Sequence, residues 1–73
     1  MPKLPRISAR AFAKALERAG FRIVRQSGSH AFFTHANGRI VNVPMHVGDM
    51  KTATIAAMLK ASGLTLEELI ELL

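Results

Sequence analysis

Asn37-Gly38 is the feature that most restricts what this chain can become. It separates two runs of strand-forming residues, 30–36 and 39–43, and supplies the positive φ angles that a tight antiparallel turn demands. A two-residue turn fixes the register: Ala36 opposite Arg39, Thr34 opposite Val41, Phe32 opposite Val43, His30 opposite Met45 and Ser29 opposite His46. One face of the hairpin then carries His30, Phe32, Thr34, Val41, Val43 and Met45, and the other Ala31, Phe33, His35, Ile40 and Asn42. The first set is the more apolar, so helices are expected to cover it. His30 then stands at the start of its strand, where core meets solvent, and His46 arrives at the same end. Cross-strand Cβ atoms lie roughly 5 Å apart, which puts two imidazoles within reach of one site. His35 belongs to the other end.

The remaining elements fall around this hairpin. Residues 1–7 hold two prolines and two basic residues without a period and read as an irregular basic arm. Ser8 is an expected N-cap for a helix through Ala19, with Phe12, Ala15, Leu16 and Ala19 on one stripe and Gly20 as the stop. Residues 21–26 have strand character, and Ser27-Gly28-Ser29 is a turn. A second helix, with Asp49 as its N-cap or Thr52 as the alternative, is expected to bury Ile55, Met58, Leu59 and Ser62 and to end at Gly63. Thr65 and Glu68 form a capping box for a last helix, whose expected buried stripe is Leu66, Leu69, Ile70 and Leu73, with Leu72 outside it. The order helix, three antiparallel strands, helix, short helix is an α+β layer with helices on one face, and it resembles the double-stranded-RNA-binding fold.

Seventy-three residues make one domain with a thin core, and the absence of cysteine removes disulfides and thiolate metal sites as supplements. Apolar residues occur in short runs, and no secretory leader follows the first charges, so a soluble cytoplasmic protein is expected. Net charge is +5, and its distribution is lopsided: all ten Lys and Arg lie between Lys3 and Lys60, where Glu17 and Asp49 are the only acids, while Glu67, Glu68 and Glu71 close the chain. Such a field favours a polyanion.

Histidine is the side chain whose ordinary pKa, near 6.5, lets it give and take protons around neutrality. RNA cleavage needs a base for the 2′-hydroxyl, an acid for the leaving oxygen and positive charge around the phosphate. His30, with His46 or Lys51 and the amide groups that open the second helix, is a candidate set for those roles. A zinc site is not expected, because His35 diverges and no cysteine or suitably spaced carboxylate joins the other histidines. Arg10, Lys14 and Arg18 read as a solvated helix face.

Five segments carry a family resemblance. Ala19-Gly20-Phe21, Arg25-Gln26-Ser27-Gly28-Ser29-His30, Val43-Pro44-Met45-His46, Lys51-Thr52-Ala53-Thr54-Ile55 and Ala61-Ser62-Gly63-Leu64 follow one another in an order and spacing that resemble the HicA toxin family. The resemblance implies an mRNA interferase, the ribonuclease toxin of a type II toxin-antitoxin pair, held inactive by a HicB-type antitoxin. It places the catalytic histidine on His30 and a second element on Pro44 and His46. Ala53 departs from similar sequences, which carry glycine before the threonine that opens the helix. The expected activity is metal-independent and cofactor-free cleavage of mRNA by His30, assisted by His46 or Ser29. Lys3, Arg6, Arg25, Arg39 and Lys51 are the expected RNA contacts. The antitoxin is expected to cover the His30 end with acidic residues. Two other readings use the same charge: a non-catalytic RNA-binding module, and a DNA-binding regulator built on the second helix, which offers few side chains to base edges.

Overall fold

A computed structural model describes residues 6–45 and 48–73. The element order is α1 (Ala9–Arg18), β1 (Arg22–Ser27), β2 (His30–Thr34), β3 (Ile40–Pro44), α2 (Thr52–Ser62) and α3 (Leu66–Leu72). This is the expected α+β order, with an open antiparallel sheet arranged β1-β2-β3.

Helix α1 starts where expected, with the Ser8 hydroxyl accepting from the Ala11 amide at 3.1 Å. Its small-residue stripe packs tightly: Ala9, Phe12, Ala15 and Leu16 are fully buried. At Gly20, φ is +98°, a conformation that lets the chain reverse into β1 without a Cβ penalty.

The hairpin turns at Asn37-Gly38, but through three loop residues rather than two. Gly38 donates its amide to the His35 carbonyl at 2.9 Å, His35 donates to the Arg39 carbonyl at 3.0 Å, and Gly38 adopts φ +91°. Two side chains lock this longer loop: Asn37 Oδ1 accepts from the Arg39 amide at 2.9 Å, and His35 Nδ1 accepts from the Asn37 amide at 3.1 Å. The expected register is therefore off by one residue. Thr34 lies opposite Ile40, Phe32 opposite Asn42 and His30 opposite Pro44.

Because side chains alternate across a strand, the slip reverses β2. Ala31 and Phe33 are buried under the helices, whereas His30, Phe32 and Thr34, expected on the core face, point to the open side. Strand β3 keeps the expected orientation, with Val41 and Val43 fully buried. The observed register wins because it stacks Phe33 beside Val41 and Ala31 beside Val43 on one face.

Helix α2 buries the expected Ile55, Met58, Leu59 and Ser62 and ends on Gly63 at φ +75°. Its start differs from expectation: the N-cap is Lys51, with no side-chain cap bond. Asp49 is occupied one step earlier, in a backbone bridge with Ser8 flanked by bonds from Ala9 to the Gly48 carbonyl and from Met50 to the Ile7 carbonyl. That bridge also docks Ile7, the inner end of the basic arm, into the core.

The Thr65–Glu68 capping box of α3 is present as expected. Its buried stripe is rotated, however. Leu69 is buried and Leu72 packs on the core, while Ile70 and Leu73, expected inside, are 49% and 43% exposed. Leu66, Leu69 and Leu72 are the α3 side chains that pack on the core, and the same end is tied to α1 by Arg18 Nη1, which donates to the Leu72 carbonyl at 2.6 Å. Helices α1 and α2 cover β3, α3 leans on α1, and β1 has no buried residue at all. Among the described residues no helix is long and apolar enough to cross a membrane.

Candidate functional site

The uncovered side of the sheet is a regular array. Its three rows run across β1, β2 and β3: Arg22, Thr34 and Ile40, then Arg25, Phe32 and Asn42, then Ser27, His30 and Pro44. A bulge at Val24 keeps both arginines on this side, since without an extra residue Arg22 and Arg25 would point to opposite faces. No Asp or Glu occurs between Glu17 and Asp49, so the strands bring only positive formal charge to the array.

His30 is exposed at the first position of β2, immediately after the Gly28-Ser29 turn. Its Nδ1 lies 3.1 Å from Asn42 Oδ1. In the neutral tautomer that donates Nδ1–H to this amide oxygen, Nε2 carries the lone pair a general base requires. In the next row the Arg25 guanidinium sits over the Phe32 ring, 4.9 Å from its centroid. The Ser29 carbonyl accepts from the Met45 amide at 2.7 Å, and this bond extends the β2–β3 pairing past His30.

The other expected site residues divide into two groups. Arg6 and Lys51 come together with Asp49 along a shallow cleft at the N-terminal end of α2, where Ala53 lies inside the first helical turn. Arg39 is at the opposite end of the hairpin from His30, laid across Gly63 and the C-terminal end of α2, with Nη1 3.5 Å from the Ala61 carbonyl. Its charge there complements the helix dipole. Lys3 and His46 lie outside the described residues, and so does the expected pairing of Ser29 with His46.

His35 has a different occupation. Its ring packs on Phe21 at 5.0 Å between centroids, and its Nδ1 closes the hairpin loop. Two members of the array, Asn42 and Phe32, were not legible as site residues. The two-residue register put Asn42 on the face away from His30 and assigned Phe32 to the core; the alternating burial of Ala31, Phe33, Val41 and Val43 is the signal that separates them. Among the described residues no three His, Asp or Glu side chains stand close enough to hold a metal ion.

A family model described as the HicA toxin of bacterial toxin-antitoxin systems matches residues 9–64. The chain belongs to the HicA toxin family. The matched span begins with α1, includes all three strands and α2, and ends just after Gly63, so every row of the open array lies within the HicA toxin region. A toxin of this kind has an antitoxin as its partner. No curated protein matches this HicA toxin.

Proposed function

We propose that this HicA toxin is an endoribonuclease that cleaves mRNA by metal-independent histidine chemistry, and that a HicB-type antitoxin inhibits it. The observation that carries the reading is the setting of His30: exposed on a face no helix covers, oriented by Asn42 at 3.1 Å, with Arg25 in the next row. His30 Nε2 takes the proton of a ribose 2′-hydroxyl, whose oxygen then attacks the adjacent phosphorus. The bond from phosphorus to the 5′-oxygen breaks, and that oxygen leaves with a proton from a second donor. His46 is the proposed donor, with Ser29 as the other candidate beside His30. The products are a 2′,3′-cyclic phosphate and a 5′-hydroxyl. Arg25, Lys51, Lys3, Arg6 and Arg39 are the proposed phosphate contacts, since positive charge around the phosphorane is worth more than charge anywhere else along the strand.

The test is incubation of a long unstructured RNA with purified protein in EDTA, beside His30→Ala at equal concentration. Scission by the wild type alone, leaving cyclic-phosphate ends, is the expected result. RNA binding by both proteins without scission by either replaces the enzyme with a non-catalytic RNA-binding module, and scission that EDTA abolishes overturns the metal-independent chemistry.

A further inference from the structure

We infer that the open sheet face is a stacking surface for single-stranded RNA, with the base next to the cleaved phosphate lying on Phe32 and Arg25. This rests on the reading of His30 as the cleaving residue and adds how the substrate is seated. Adjacent residues of β2 have opposite fates: Phe33 is buried in the core, whereas Phe32 is half-buried on the open side, in the middle of the middle strand. Among the described residues the group that lies over its ring is the Arg25 guanidinium, 4.9 Å from the centroid. An arginine plane on an aromatic ring is itself a surface for a base, and no strand residue offers it a carboxylate.

The spacing fits one nucleotide step. Phe32 and His30 are two residues apart on the same side of a strand, roughly 6.6 Å at the usual rise, which is about the advance of one nucleotide along an extended chain. A base on Phe32 therefore leaves its own sugar-phosphate junction near His30, while Arg22 and Arg25 line the β1 side with positive charge. A duplex cannot use this surface, because its bases are already stacked on each other and only phosphates and groove edges face outward. Charge without a stacking ring would not distinguish the two forms; Phe32 does.

The experiment measures fluorescence anisotropy with a labelled 2′-O-methyl RNA, which lacks the attacking hydroxyl and so reports binding alone, as a single strand and as a duplex. Phe32→Leu, Phe32→Trp and Lys14→Ala are compared with the wild type, and melting curves establish that each variant is folded. Phe32→Leu is expected to weaken single-strand binding about tenfold, the lower range for loss of one base-aromatic stack, with duplex binding unchanged. Phe32→Trp, which keeps an aromatic face, and Lys14→Ala, exposed on α1, are expected to bind the single strand as the wild type does. Equal single-strand affinity for Phe32→Leu and wild type, or an equal loss for Phe32→Leu and Phe32→Trp, overturns the stacking surface even if the protein cuts RNA. Phe32-dependent binding by a wild type that never cuts upholds the surface and removes the nuclease reading instead.

Discussion

At His30 the contact with Asn42 bears on which nitrogen can act as a base. With Asn42 Oδ1 3.1 Å from Nδ1, the tautomer that donates Nδ1–H is the one this contact favours, and without it the imidazole can rotate or take the other. Asn42→Ala is therefore expected to lower kcat for RNA cleavage by about tenfold, the loss of one hydrogen bond of roughly 1 to 1.5 kcal/mol, with KM unchanged because Asn42 positions the base and leaves phosphate binding to the arginines. A rise in KM with kcat intact would place Asn42 in substrate binding instead. His30 was visible in the sequence because it follows Gly28-Ser29 in a known family pattern, and Arg25 because it sits in a strand with no acid to pair with. Asn42 was invisible because its role depends on which residue of β2 it faces, and that is a property of the turn. His35 shows the converse: alike in composition to His30, it is spent on packing Phe21 and closing the loop.

At the scale of the element, a one-residue error in loop length exchanged the two faces of β2. The sequence pattern alone could not arbitrate, since Phe32 and Phe33 are identical side chains in adjacent positions and either face offers one phenylalanine to the core. The packing of Phe33 and Ala31 beside Val41 and Val43 favours the longer loop, which the Asn37 side chain then stabilises by accepting from the Arg39 amide. The two phenylalanines give a direct check. Phe33→Ala is expected to cost about 3 to 5 kcal/mol and leave little folded protein, as for other fully packed phenylalanines, whereas Phe32→Ala is expected to melt within a few degrees of wild type; circular dichroism melts of the pair would read the register, and the reverse order would restore the two-residue turn. Ser8, Gly63 and the Thr65–Glu68 box are local chemistry and stand as expected, as does the α2 stripe, whereas the α2 N-cap and the face α3 buries depend on packing against other parts of the molecule. Gly63 also carries a stability prediction. It holds φ +75°, and an added Cβ would meet Arg39 Nε at 2.6 Å. Gly63→Ala is expected to cost roughly 1 to 2 kcal/mol from the left-handed backbone alone, the Arg39 side chain swinging aside, and to lower the melting temperature by at least about 4 °C; an unchanged melting temperature would show that the α2 terminus relaxes to a right-handed turn.

Across the whole molecule, helices and acids are gathered away from the array. Glu67, Glu68 and Glu71 lie on α3, which leans on α1, while the sheet's far side keeps Arg22 and Arg25 on a strand with no buried residue. A small domain that leaves one strand bare has surface for a partner: Ile23 is 50% and Val24 58% exposed at the edge of the same sheet. On the proposed function the antitoxin and the RNA are expected to compete for one face and to read its charge. Reversing Arg22 and Arg25 together to Glu should weaken both RNA and antitoxin binding, whereas reversing Arg10 and Lys14, exposed on α1, should leave the antitoxin affinity near wild type. The salt dependence of RNA binding tests the same geometry, because the slope of log affinity against log salt falls by about 0.7 for each single-strand phosphate that the protein ceases to neutralise. The Arg22→Glu/Arg25→Glu protein is expected to show a slope smaller by at least about 1.4, and the preformed toxin-antitoxin complex is expected to bind no RNA. Antitoxin affinity that falls with the α1 reversal and not with the β1 reversal would move the inhibitor to the helical side, and inhibition would then have to act on the site from behind the sheet rather than by covering His30.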